Sequence, residues 1–432
     1  MQLSYSTIAN ECGETERGGV GRYAWLVFAL TFGLLLSDYM SRQVLNAVFP
    51  LLAAEWDLSD TQLGALSGVV SLAVGALAFP LSLLADRWGR LRSLVLMAAL
   101  WSIATLACGL AGSFEQMFAA RLFVGVGEAA YGSVGLAVVL SVFPVRMRAT
   151  ISGAFLAGGM VGSVLGISLG GFLAAQFGWR AAFAGMALFG LLLTICYPLV
   201  VKESRLATEG GAARCTTTAT VRPRLRALVA SRSVICAYLG SGVQVFISGA
   251  LLAWLPSYLH RSYGMTVAAS ALVAAIFVLS CAAGMALCGS LSDRIGRESP
   301  AAKLSLAIGY CVGCCVLLSA AFVLPAGLPQ LVLIALGMFF GAGTVGPAGA
   351  MVANLTPPPL HGSAFGMLSL ANNLLGLAPG PIVTGILADA FGLSVALQLV
   401  PLVSLIAAGI FALATRSYQQ DLRQLGWRAD VA

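Results

Sequence analysis

Asp86-Arg87-Trp88-Gly89-Arg90 recurs further along the chain as Asp293-Arg294-Ile295-Gly296-Arg297. Each copy lies between apolar runs long enough to cross a bilayer, which takes about 20 residues of helix. Outward from the first copy, such runs cover 22–48, 62–84, 93–113, 117–141, 149–174 and 181–201. Outward from the second they cover 234–259, 266–291, 302–324, 329–353, 362–388 and 393–415. Each copy follows the second run of its set. Two further matches recur at similar offsets. Gly125-Val126-Gly127 in the fourth run matches Gly341-Ala342-Gly343 in the tenth, and Gly166, Gly170 and Gly171 in the fifth match Gly380, Thr384 and Gly385 in the eleventh. The pattern predicts an all-α membrane protein of twelve transmembrane helices in two pseudo-symmetric six-helix bundles. Internal repeats of this kind mark transporters. The expected divisions are a tail (1–21), a bundle (22–201), a linker (202–233), a second bundle (234–415) and a tail (416–432). A closed β-barrel can also span a membrane, but its alternating ten-residue pattern is absent.

Composition agrees. Of 432 residues, 59% are hydrophobic and 9% charged, where soluble domains carry roughly 25% charge. That excludes an ordinary soluble enzyme, a disordered protein and a nucleic-acid binder. The formal charge of +7 matters less than its placement. Of the 24 Lys and Arg, only Arg180 and Arg261 fall on one side of the alternating spans, and Arg42 and Arg121 fall inside them. The rest share the other side, which the positive-inside rule places in the cytoplasm with both termini and the linker. The first 21 residues hold Glu11, Glu14 and Glu16 and no apolar core, so no cleavable signal peptide is expected. Eight of the ten cysteines lie in apolar runs. Cys311, Cys314 and Cys315 have no second Cys/His pair beside them and read as packing residues, so no metal and no cofactor is expected.

With these residues in view, the chain resembles the major facilitator superfamily. The superfamily's segment after the second helix reads G-x-x-x-D-R-x-G-R-[KR]. Here Ser82 takes the first position, followed by Asp86, Arg87, Gly89 and Arg90, with Leu91 in the last place and Arg92 one step on. The second copy has Gly289, Asp293, Arg294, Gly296 and Arg297. The resemblance implies a gating motif, with the Asp pairing basic residues such as Arg146 or Arg148. Plain positive-inside anchoring is the alternative. In the fifth helix Gly158, Gly162, Gly166, Gly170 and Gly171 resemble an antiporter signature, with Ile167 replacing its proline. The eleventh supplies Gly376, Gly380 and Pro381. Glycines four apart let helices approach closely. In the fourth helix Arg121-x3-Gly125-x-Gly127-Glu128-Ala129 resembles the Spinster branch and its bacterial relatives. So does Asn372-Asn373-Leu-Leu-Gly376 in the eleventh. Where that branch tends to have Asp-Arg-Gln, this chain has Ser41-Arg42-Gln43, with an acid one turn earlier at Asp38. The branch implies transport of amphipathic lipids in characterised members. The superfamily's habit implies a monomer.

Four charges lie well inside the spans: Asp38 and Arg42 in the first, Arg121 and Glu128 in the fourth. Charges there are costly and mark function by default. Asp38 and Arg42 are one turn apart, Arg121 and Glu128 two turns. The repeat partners of Arg121 and Glu128 are Gly337 and Thr344, so the charges are not needed merely to build the fold. A purely structural ion cluster is the alternative. Burial raises a carboxylate's pKa and a nearby Arg lowers it, a competition that suits a proton-coupling site. The expected mechanism is proton-coupled alternating access. Asp38 or Glu128 takes a proton from the acidic side, which frees Arg42 or Arg121 for the substrate's anionic group. Substrate from the other side favours proton release. Tyr131, Gln244, Ser248, Thr344, Asn372 and Asn373 could line the cavity or bond between helices. The expected partners are a small or lipid-like anion, protons and the bilayer of a bacterial inner membrane, with export ahead of uptake of an organic carboxylate. A non-transporting sensor lacks an output domain here. An enzyme lacks a catalytic cluster: Gly166-Ile167-Ser168-Leu169-Gly170 spells a nucleophile elbow but sits inside an apolar helix, not at a strand-to-helix turn.

Overall fold

The structure, a computed structural model, describes residues 21–202, 228–229, 231–298, 302–357 and 360–429. Most of the expected N-terminal tail and linker lie outside these residues, as do the side chains of Asp86 and Arg297. Among the described residues, twelve helices are long and apolar enough to cross a membrane. They are α1 (Arg22–Trp56), α2 (Asp60–Ala85), α3 (Arg90–Leu110), α4 (Phe114–Val142), α5 (Thr150–Phe177), α6 (Trp179–Val200), α7 (Arg232–Tyr263), α8 (Val267–Ile295), α9 (Ala302–Val323), α10 (Leu328–Leu355), α11 (His361–Phe391) and α12 (Leu393–Asp421). No strand occurs among the described residues. The helix of α12 continues to Ala429, beyond the expected start of the C-terminal tail. Asp421 explains the extension: its Oδ2 accepts hydrogen bonds from Ser231 Oγ at 2.8 Å and Ser233 N at 3.1 Å, at the start of α7.

Serines start several helices by accepting from the first free amides. Ser59 and Gln62 form a reciprocal capping box at α2, with Gln62 N donating to Ser59 Oγ at 3.2 Å and Ser59 N to Gln62 Oε1 at 3.0 Å. Two equivalent turns, one in each half, require glycine. Gly178 between α5 and α6 has φ +85°, and Gly392 between α11 and α12 has φ +83°. Side chains avoid that region, and the two positions correspond in the repeat.

Packing repeats as well. The α5 glycines lie directly on α1: an added Cβ would stand 2.7 Å from a Phe32 ring carbon at Gly158 and 2.9 Å from Leu36 O at Gly162. It would stand 2.7 Å from Met40 Cα at Gly166 and 2.8 Å from a Val44 methyl at Gly170. In the second bundle Gly376 and Gly380 lie on α7, each 2.6 Å by the same measure from a carbonyl oxygen, of Gly242 and Phe246 respectively. Pro381 O also accepts from Trp254 Nε1 at 3.0 Å. The bundles meet along α2–α11 and α5–α8. Added Cβ atoms at Gly64 and Gly68 would strike Pro381 O and Ala378 O, and one at Gly171 would strike Ala271. These contacts sit near the ends of the helices opposite the chain termini, called here the far side. Phe49 and Trp254, 5.4 Å apart across the bundles, close the same end.

Helices α4, α10 and α11 are interrupted near their middles. α4 breaks between Glu128 and Tyr131, with Ala130 at φ −114°, ψ 0°. α10 breaks between Ala342 and Val345. α11 carries a π turn over Asn372–Leu377. Pro379 and Pro381 have no N–H to continue the ladder, and Ala378 N reaches back to Asn373 O at 2.9 Å. Interrupted helices and π turns concentrate at functional sites in transporters.

Candidate functional site

Asp38, Arg42 and Glu128 meet at the break in α4. Arg42 donates from Nε at 3.0 Å and Nη2 at 2.7 Å, both to Glu128 Oε2. Its Nη2 also lies 4.0 Å from Asp38 Oδ1. The two carboxyl groups lie side by side, within hydrogen-bonding reach of each other once one carries a proton. Asp38 and Glu128 are buried, while the Arg42 side chain keeps 17% exposure. Neither Asp38 Oδ1 nor Glu128 Oε1 has a hydrogen-bond partner among the described residues. Two adjoining buried carboxyls thus share one guanidinium, with one oxygen of each unsatisfied. A single proton on the pair would balance the trio's charge.

Helical geometry sets this up. Asp38 and Arg42 project from α1 one turn apart, and the α5 glycines hold α1 in place at Met40 and Val44. Glu128 is the last residue of the first α4 segment. The ring of Tyr39 lies 5.5 Å under the Arg42 guanidinium. Beyond Arg42 the polar face continues with Asn46, whose Nδ2 donates to Gln43 Oε1 at 2.7 Å and whose Oδ1 accepts from Ser67 Oγ at 3.1 Å. The sequence reading gave Asn46 and Ser67 no role. Positions 38, 42 and 46 recur every four residues, a signal that was available.

Arg121 does not join this cluster. It is fully buried, and its donors go to backbone: Nε to Leu66 O at 3.3 Å, Nη1 to Ser41 O at 3.0 Å and Nη2 to Arg42 O at 3.2 Å. It ties α4 to α1 and α2, with all three of its nitrogens donating to backbone carbonyls. Tyr131 is also fully buried; its hydroxyl donates to Thr31 O at 2.6 Å and its ring packs edge-on against Trp101. It braces the second α4 segment against α1.

A family model described as the Major Facilitator Superfamily matches residues 31–328. The chain belongs to the Major Facilitator Superfamily. Among solved structures, this facilitator is similar to a bacterial homolog of the human lysosomal transporter Spinster in an inward-facing, unoccupied conformation. The TM-score is 0.81 at 22% identity, over 93% of this chain and 99% of that one. Among curated proteins it is 24% identical over 374 residues to the hexuronate transporter of Bacillus subtilis, covering 85% of this chain and 88% of that protein. It is 26% identical over 294 residues to the cis,cis-muconate transport protein of Acinetobacter baylyi, covering 66% and 70%. The facilitator resembles the Spinster-like branch, and it is a membrane transporter, not an enzyme.

In its second bundle, the glycine contacts fix the register between halves. Gly162 meets Leu36 where Gly376 meets Gly242, so Asp38 corresponds to Gln244 and Arg42 to Ser248. With Thr344 opposite Glu128, the charged trio has a neutral counterpart. Gln244 is fully buried; its Oε1 accepts from Ser404 Oγ at 2.6 Å, while its Nε2 has no partner among the described residues. Thr344 Oγ1 donates to Gly341 O at 3.3 Å at the α10 break. Ser248 is half-buried. Asn372 Oδ1 accepts from Ser241 Oγ at 2.8 Å, and Asn373, against Gly75 of α2, donates to Ser369 O at 2.9 Å. These side chains do not reach the charged trio.

The basic segments lie on the termini side. Gly89 has φ +97° and turns the chain between α2 and α3. Arg87 and Arg90 are exposed there. In the second copy Asp293 pairs with Lys303 at 3.0 Å, joining α8 to α9, and Arg294 is exposed. The pairing expected of Asp86 lies outside the described side chains.

Proposed function

We propose that this facilitator carries a small organic acid together with a proton by alternating access, through Asp38, Arg42 and Glu128. The pair of adjoining carboxyls on one guanidinium carries this reading. With both ionised, the trio bears one net negative charge and Arg42 is held by Glu128. A proton bound between the carboxyls weakens that hold and leaves Arg42, the exposed member, to take the acid's carboxylate. Proton and acid therefore favour each other's binding, which is the requirement for cotransport. This supports uptake over the export expected from sequence. Each ligand shifts the equilibrium between outward- and inward-facing states by its differential affinity for them.

Both named relatives carry six-carbon organic acids, which supports a compact carboxylate over a lipid. The surplus of Lys and Arg on the termini side supports a cytoplasmic position for both chain ends in a bacterial inner membrane. Both bundles contribute to one chain, so a monomer suffices.

The test is proteoliposome transport of a radiolabelled hexuronate and of cis,cis-muconate. Acid outside is expected to drive accumulation of one of them. Asp38→Asn and Glu128→Gln are each expected to abolish gradient-driven accumulation while sparing counterflow exchange. Accumulation by both variants equal to the parent's would overturn the proton site. Expulsion of preloaded acid under the same gradient would overturn cotransport and restore export.

A further inference from the structure

On the far side, one cluster joins the two bundles. Arg261, in the last turn of α7, donates from Nη2 to Asp60 Oδ1 at 2.6 Å and from Nη1 to Asp60 Oδ2 at 2.8 Å. Asp60 is the first residue of α2. Its amide donates to Asp389 Oδ1 at 2.8 Å, and the next amide, of Thr61, to Asp389 Oδ2 at 2.8 Å. Asp389 stands near the end of α11. A helix leaves its first amides without intrahelical acceptors. At α2, Ser59 accepts from Gln62 N, and the two amides before it are taken by a carboxylate of the other bundle. One carboxylate and one guanidinium from the second bundle thus grip the tip of α2 on both its faces, the amides and the acid.

Charge placement singles out this cluster. Arg180 and Arg261 are the two basic residues on the far side. Arg180 pairs with Glu55 at 2.7 Å and stacks on Trp179 at 4.2 Å, all within the first bundle. Arg261 instead crosses to the other bundle, at the end where α2–α11 and α5–α8 are pressed together. The far side cannot open without separating α2 from α11 and α7, which breaks two hydrogen bonds to each, four at once. In the open state, water replaces them individually.

We propose that Asp60, Arg261 and Asp389 are the latch of the far-side gate and set the resting balance between the two access states. The latch contacts neither Arg42 nor the carboxyl pair, so its role stands apart from the proton and substrate reading.

Single-molecule distance measurement on the full chain in nanodiscs tests this without any substrate. Fluorophores are attached through non-canonical amino acids in far-side loops of opposite bundles, at Gly112 and Ala326. The parent is expected to reside mainly in the short-distance state. Asp389→Asn and Arg261→Gln are each expected to raise the ratio of open to closed molecules about tenfold, which corresponds to about 1.4 kcal/mol. The swap Asp60→Arg with Arg261→Asp is expected to recover part of the closed population that Arg261→Gln loses. Arg180→Gln removes an equal charge from the same side within one bundle and is expected to leave the ratio unchanged. An unchanged ratio in Asp389→Asn and Arg261→Gln, or an equal rise in Arg180→Gln, would overturn the latch. Because Asp389→Asn keeps the side chain's size and one carbonyl acceptor, it tests the latch even if Arg261→Gln folds poorly.

Discussion

Arg121→Lys separates a clamp from a substrate ligand. In the structure its guanidinium spans three carbonyls on two helices, those of Ser41 and Arg42 on α1 and of Leu66 on α2, at 3.0–3.3 Å. Hydrogen bonds from a charged donor contribute about 1.5–3 kcal/mol each. A lysine ammonium can reach α1 or α2 but lacks the planar fork that spans both, so the tie between the two helices goes, and with it one or two of the three bonds. The carbonyls keep their own helical partners, which limits the loss to about 3 kcal/mol. At about 2–4 °C per kcal/mol for 150–250 residues, and less for a longer chain, the expected fall in Tm is about 5 °C. The assay is intrinsic-fluorescence unfolding of the detergent-purified protein, with and without saturating organic acid. The rise in Tm on adding ligand is expected to survive, because the proposed anion contact belongs to Arg42. A Tm within about 1 °C of the parent's, with the ligand-induced rise abolished, would show Arg121 to be the substrate's partner and refute the clamp.

Tyr131→Phe removes one buried hydroxyl whose 2.6 Å bond goes to Thr31 O; unfolding should show a loss of about 1 kcal/mol, and transport assays an unchanged KM. Gly166→Ala drives a methyl to 2.7 Å from Met40 Cα, so α5 and α1 must part; about 1–3 kcal/mol of stability should be lost. Transport should slow with it, since α1 carries Asp38 and Arg42. Gly132→Ala is the matched control, with nothing within 4 Å of the added carbon, and both its Tm and its rate should match the parent's.

Legibility from sequence followed the distance over which each interaction acts. Spans were readable because twenty apolar residues in a row have few other uses. The duplication was readable because Gly89, Gly166 and Gly380 answer to backbone constraints that both halves share. Arg121 shows what sequence leaves open. A buried charge in a helix signals a partner, and sequence supplies only side chains as candidates, whereas Arg121 found backbone carbonyls on two other helices. Tyr131 left two readings open in the same way. One turn from Glu128, it could equally face a cavity or a neighbouring helix, and only the placement of Thr31 decides. The far-side cluster was invisible because Asp60 and Asp389 lie far apart in the chain, and an acid near a helix end is ordinary in any loop.

The correspondence between bundles bears on why the chemistry sits where it does. α4 and α10 break at equivalent places, and α5 and α11 lie on α1 and α7 through equivalent glycines. The backbone is therefore equally prepared for a site in either half. Only one half carries charge: Asp38, Arg42 and Glu128 face Gln244, Ser248 and Thr344 at the matching positions. Duplication thus supplies the helix break and the glycine contacts twice, while the ionic trio stands in one copy alone.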